Sequence, residues 1–201
     1  MFVERGKPVK EKYRMIEYPT EEALEEGLAE LGDSPGDQGV LEMIVSRPKD
    51  DERQELENAR LDLVDGLVGD NWLQRGSRRT EDGSANPDMQ IAIMNSRIIK
   101  LVAQDRGRWP LAGDQLFIDL DLSSENLPPG QRISIGQAIL EITDAPHTGC
   151  RKFSDRFGSG ALRFVNSKEG RTDRRRGIYA RVVESGKIQV NDIVAKVARA
   201  E

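Results

Sequence analysis

Apolar and polar positions change period several times along the chain, and each change marks an element. Residues 20–31, TEEALEEGLAEL, open with Thr20 as an N-cap, carry Glu21 and Glu22 in the first turn and end just before a glycine, which predicts a helix. After the turn SPGDQG (34–39), VLEMIVSRP (40–48) predicts a strand stopped by Pro48. In DERQELENARLDLVDGLVGDNW, Leu56, Ala59, Leu63 and Leu67 fall three and four residues apart, which predicts a helix packing one face on the core. RGSRRTEDGSANPD (75–88) is polar and turn-rich, a surface loop with the composition of a flap.

The second half of the chain is richer in strands. QIAIMN (90–95) predicts a strand, and Asn95 or Ser96 caps a short helix through SRIIKLVAQD. DQLFIDLDLS (114–123) alternates, with Leu116, Ile118, Leu120 and Leu122 on one face and Asp119 and Asp121 on the other, so the two aspartates read as a solvated strand face. PPGQ (128–131) makes a turn, RISIGQAILEIT is β-rich with a bulge or bend at Gly136, and GIYARVVESGKIQVNDIVAKV predicts two strands around Glu184–Gly186 and a last one after a turn at Asn191-Asp192. The sum is an α+β fold, mostly antiparallel and barrel-like, with flanking helices. Residues 1–89 form a helical and strand portion of the same domain, and residues 90–201 its core.

Composition narrows the chemistry. A chain of 201 residues buries an adequate core without a covalent staple, and one cysteine with one histidine makes neither an internal disulfide nor a four-ligand zinc site. Cys150 is therefore a free thiol, as in a reducing cytosol, and the absence of an apolar leader in MFVERGKPVKEKYR or of a long apolar run predicts a cytoplasmic protein with no membrane partner. The net charge of −5 opposes nucleic-acid binding, as do aromatics that read as core. The charge is uneven, however: from His147 to Lys187 there are 11 Lys and Arg against 4 Asp and Glu, which suggests an anionic ligand.

At the head of that basic segment stands PHTGCRKFSDRFG (146–158), which holds both the only histidine and the only cysteine. A thiolate is both nucleophile and metal ligand, and cationic neighbours favour it; Arg151 and Lys152 follow directly. Gly149 leaves room for a ligand to approach the backbone beside the sulfur. A lone cysteine in an arbitrary protein is more often a buried structural thiol, but these neighbours are polar. A histidine three residues before the cysteine matches no thiol-protease arrangement, so His147 reads as a polar residue near a turn. Phe153, Phe157 and Phe164 read as core contacts. Downstream, Arg156, Arg163, Arg171 and Arg174 to Arg176 lie among Gly and Asn, a composition suited to phosphate oxygens, although no glycine-rich phosphate-loop signature is present.

These residues resemble the molybdenum cofactor sulfurase C-terminal (MOSC) family. The likeness rests on PHTGCRKFSDRFG, LRFVNSKEGR, RRRGIYARVVESGKIQVNDIV and, upstream, WPLAGDQLFIDLDLSSENLPPGQRISIGQAILEIT, and it covers residues 90 to 195, in the manner of small stand-alone bacterial members. It implies a β-rich fold in which Cys150 is the functional sulfur, either ligating molybdenum held by a pterin cofactor or carrying a persulfide received from a pyridoxal-phosphate cysteine desulfurase. Lys152, Arg163, Arg174 and Arg176 are the implied contacts for the pterin phosphate, with His147, Gly149 and Asn166 beside them. As an enzyme the chain would reduce small N-hydroxylated compounds with separate electron-donor proteins, since no flavin, haem or iron–sulfur motif occurs; as a non-enzyme it would carry sulfur. The 201 residues leave no room for an aminotransferase-like domain, so no pyridoxal phosphate is expected on this chain. Two departures stand out. Asn191 replaces the usual glycine before Asp192, and Asn tolerates positive φ. Arg151 replaces a small residue, and its long side chain is expected to narrow the site.

Overall fold

In a computed structural model the chain is described over residues 17–198; the leader-free reading of residues 1–14 lies outside them. In chain order the elements are α1 (Glu21–Leu31), β1 (Gln38–Ser46), β2 (Gln54–Leu56), β3 (Asn58–Asp62), β4 (Gly66–Leu67), α2 (Trp72–Arg75), β5 (Ile91–Asn95), α3 (Ser96–Ala103) and β6 (Leu116–Asp119). They continue with β7 (Arg132–Ile135), β8 (Ala138–Ile142), α4 (Arg151–Asn166), α5 (Lys168–Thr172), β9 (Ile178–Glu184), β10 (Gly186–Gln189) and β11 (Ile193–Val197). Thr20 Oγ1 accepts from the Ala23 N–H and Asn95 Oδ1 from the N–H groups of Arg97 and Ile98, so the caps expected for α1 and α3 form.

Strands run β11-β7-β8-β9-β5-β6-β1, and β1 returns to β11 through Gln38–Val40, which closes a seven-stranded barrel. Every pairing in the ring is antiparallel except β5 with β6. The far end of β1 pairs with β2, while β10, β3 and β4 form a second small sheet.

Strand alternation separates two cores. Leu116 and Ile118 of β6 face the barrel interior with Ile91, Ile93, Ile133, Leu140 and Val194. Phe117, between them, faces outward into a second cluster with Met43, Val45 and Met94, on which α1, α3 and α4 pack through Leu24, Ile99, Val102, Phe153, Phe157 and Phe164. The three phenylalanines of the cysteine segment are thus core, as their spacing predicts. Asp119, on the strand's other face, holds Arg97 through two hydrogen bonds of 2.8 and 2.9 Å, and Asp121 caps the turn at Ser123.

The helix expected from Leu56 to Leu67 is absent; the segment folds as β2, β3 and β4. Residues Asn58–Leu61 pair with Gly186–Gln189, Asp62 Oδ1 accepts from the N–H of Val64 and Asp65, and Gly66 turns the chain back at φ +69°. Leu61 and Leu67 are fully buried and Leu63 is 55 % exposed, so the helical spacing was coincidental and a distant strand decided the outcome. Gly136 is a hairpin turn between β7 and β8. The two strands around Ser185 do form, but β9 stays in the barrel and β10 passes to the small sheet. Among the described residues no helix is long and apolar enough to cross a membrane.

Candidate functional site

Strand β8 ends at Ile142, and the extended segment 143–149 delivers Cys150 to the start of α4. Cys150 occupies the N-cap position with extended backbone (φ −118°, ψ 179°), and its side chain makes no capping hydrogen bond, so the sulfur is not engaged by the helix. It is free and exposed. The approach is fixed one residue earlier. Gly158, at φ +89°, breaks α4 into two helices and folds the second back, so that Asn166 at its end accepts from the Gly149 N–H at 2.9 Å and donates to the Gly149 carbonyl at 3.0 Å. A Cβ on Gly149 would come within 2.8 Å of Leu162 and 3.0 Å of Val165. The missing side chain therefore makes room for the helix rather than for a ligand, and Asn166 acts on the chain leading to the sulfur.

Cys150 opens onto a cleft of about 210 Å³ formed by the end of β1 and the loop after it, α2, the Ala112-Gly113 turn and the first turns of α4. Its basic side chains are Arg47, Lys49, Arg53, Arg75, Lys152, Arg156 and Arg176; Asp50 and Asp51 are its acidic ones. Two arginines form buried ion pairs. Arg47 meets Asp70 at 2.8 and 2.9 Å and donates to the Gly113 carbonyl, and Arg176 Nη1 lies 2.8 and 3.0 Å from the two oxygens of Asp114. The Arg176 guanidinium also sits 5.0 Å over the Phe153 ring. Burial raises the Asp114 carboxyl above its ordinary value, with the charge of Arg176 opposing. Three buried polar atoms of the cleft residues, Arg53 Nε, Arg176 Nε and Asn71 Oδ1, have no partner among the described residues. Larger clefts of about 680 and 410 Å³ lie elsewhere, and neither is lined by a cysteine.

The other residues expected around the cysteine are dispersed. Lys152 and Arg176 line the cleft. Arg163 lies on the exposed flank of α4 and binds Glu21 at 2.8 Å. Arg174, at φ +51°, donates to the Leu127 carbonyl and lines a separate cleft of about 260 Å³ with His147, Thr148 and Arg171. The His147 ring is buried, stacks on Tyr179 at 4.2 Å and lies 3.6 Å from Asp114; burial, reinforced by Arg176, pushes its pKa well below the usual value and keeps it neutral. Arg151 does not narrow the site, because its side chain extends almost fully into solvent. Arg47, Lys49, Arg53 and Arg75 were not foreseen. They lie 75 to 103 residues before Cys150 in sequence, and no local pattern joins them to it; an arginine closing an apolar strand just before Pro48 was the one available signal.

The barrel is shared with solved structures. The YuaD protein of Bacillus subtilis superposes with a TM-score of 0.60 at 17% identity, covering 81% of this chain and 97% of that one. YiiM from Escherichia coli gives 0.51 at 16% identity, covering 81% and 71%. At these identities the likeness is one of fold. No curated protein matches the sequence. The MOSC domain profile matches residues 82–195, a span that runs from β5 into β11 and includes the cysteine segment between β8 and α4. With more than half of its length inside that match, the chain belongs to the MOSC domain family.

Proposed function

We propose that this protein handles a molybdenum–pterin cofactor at Cys150 and works as a reductase of small N-hydroxylated compounds. The observation that carries the reading is an exposed, uncapped thiol at the mouth of a cleft whose walls are arginines with buried, unpartnered donors. The residues fit the group in charge. Arg47 and Arg176, held in place by Asp70 and Asp114, and Lys152 and Arg156 would bind its phosphate through charge-assisted hydrogen bonds. A cleft of about 210 Å³ is smaller than the roughly 300–1,000 Å³ of enclosed small-molecule sites, so it takes the charged end of a pterin and leaves the remainder at the mouth. A metal held there would bond to the Cys150 sulfur and draw its other ligands from the cofactor. When bound, the cofactor supplies the two-electron chemistry that removes the hydroxyl oxygen, with electrons from a separate donor protein. The chain supplies the sulfur, the anchoring cations and the open mouth through which substrate enters.

The exposure of Cys150 supports a second reading, a sulfur carrier. Its thiolate would attack the outer sulfur of a cysteine desulfurase persulfide; the donor's S–S bond breaks and its thiolate leaves, with the persulfide now on Cys150.

Purification from a molybdate-replete host, with metal analysis and pterin release by acid, tests the first reading. Bound molybdenum and pterin are expected, and Cys150→Ser should keep part of the pterin while losing metal-dependent spectra and reductase activity. Protein that takes up no pterin even from excess cofactor, yet gains one sulfur mass on Cys150 from a desulfurase and cysteine, overturns the reductase and leaves the carrier.

A further inference from the structure

Four of the cations around Cys150 already have carboxylate partners: Arg47 with Asp70, Arg176 with Asp114, and Lys152 and Arg156 with Asp51. Lys49, Arg53 and Arg75 have none among the described residues, and of these three only the arginines carry planar forks. Arg53 is half-buried; Nη1 donates to the carbonyl of its neighbour Glu52, Nε is buried without a partner, and Nη2 lies 3.9 Å from where a Cβ on Gly113 would stand. That glycine's carbonyl already accepts from Arg47, so Arg53 stands beside the deeper arginine and not in its place. Arg75 closes α2 and lines the same cleft; its backbone N–H donates to the Asn71 carbonyl at 2.8 Å, and its guanidinium makes no ion pair or hydrogen bond among the described residues.

We propose that Arg53 and Arg75 form an oxyanion subsite that holds the carboxylate or phosphate of a second small molecule, bound beside the group on Cys150. Charge leads to the same place. The cleft's seven cations exceed by three the two carboxylates that line it, Asp50 and Asp51, together with the two behind it, Asp70 on Arg47 and Asp114 on Arg176, and one phosphate monoester, at about −2, does not balance them. Burial and the nearby charges of Arg156 and Arg47 hold the Arg53 guanidinium below its usual pKa, a repulsion that a bound anion relieves. Both side chains line the one cleft of about 210 Å³, and planar guanidinium forks suit a two-oxygen anion. The substrate class that follows is acidic: a compound bearing a carboxylate or phosphate besides its reacting group. That class rests on the reading of Cys150 given above; the subsite does not.

Calorimetric titration of cofactor-free protein with inorganic phosphate at low salt reads the cleft's phosphate binding, and the Arg53 and Arg75 variants isolate the subsite's share. Wild type should bind phosphate, and Arg53→Gln/Arg75→Gln should weaken it at least ten-fold, with Arg53→Lys/Arg75→Lys in between. The charge-matched surface variant Lys168→Gln/Lys187→Gln should stay within two-fold. Circular dichroism checks the fold of each. Wild type without measurable binding, or a glutamine variant that binds as wild type does, overturns the subsite. Repeating the titration on cofactor-loaded protein identifies the source of the anion: retained phosphate binding supports a second molecule, and its loss shows that the cofactor's own phosphate fills the subsite, which overturns the proposal. If no pterin is taken up, the reductase reading fails by itself and the titration of cofactor-free protein still decides the subsite.

Discussion

Asn191 and Cys150 are the two residues whose local conformation the sequence specified most directly. Asn191 adopts φ +73° in the turn before β11, with its N–H donating to the Leu41 carbonyl, as its replacement of a glycine implies. Glycine there should be tolerated, whereas Asn191→Val should cost about 1–2 kcal/mol in urea unfolding, because a β-branched side chain is strained in the left-handed region. Cys150, exposed and not engaged as a cap, should be alkylated by iodoacetamide in the native protein as completely as in urea. Labelling that requires denaturation would contradict the exposed position. The carboxylates at Asp119 and Asp121 serve Arg97 and a turn, so neutralising both should leave any activity within a few-fold; near-total loss with the fold intact would place them in the chemistry.

Among the elements, α4 does most to define the site. Its first turn carries Cys150, Lys152 and Phe153, and its last residue, Asn166, holds the chain entering the helix. Asn166→Ala leaves the Gly149 N–H and carbonyl without partners, and should destabilise the protein by about 1–3 kcal/mol and alter the alkylation rate of Cys150, a paired change that denaturant titration and labelling kinetics can read. β3 teaches a different lesson. The stretch around it carries a helical period at Leu56, Ala59, Leu63 and Leu67, yet β10, more than a hundred residues later, offers a ladder that the segment completes. Helices α1 and α3, by contrast, have their caps and apolar stripes within one short stretch, so they were legible.

For the molecule as a whole, the buried group beneath the cleft sets the pH response. His147 is the only histidine, and its folded pKa lies well below the ordinary 6.5. Above pH 6.5 the folded and unfolded states are both neutral at this position and stability is full. As pH falls below 6.5 the unfolded chain takes up a proton that the folded one refuses, so stability is lost at up to about 1.4 kcal/mol per pH unit. Urea unfolding from pH 7 to 5 should show that slope, and His147→Gln should flatten it between 6.5 and the carboxylate range. Buried Asp114, whose carboxyl is raised, acts with the opposite sign, so the contribution of His147 is the difference between wild type and His147→Gln; no difference would mean that the ring is solvated.

The sequence by itself determined the α+β class, most strands of the barrel, the caps of α1 and α3, the cysteine as a free thiol and the basic character of its surroundings. Each of those depends on residues close together in the chain, where period, capping and turn chemistry act. Tertiary structure alone decided which cations meet the cysteine. Closure of the barrel through β1 and β11 brings Arg47 and the loop after it against α4, while Arg163 and Arg174, much nearer in sequence, are turned to other surfaces by Glu21 and by the Leu127 carbonyl. Pairing across long separations follows from how strands close a sheet and which carboxylates lie behind each arginine, and neither quantity is written in any local pattern of the chain.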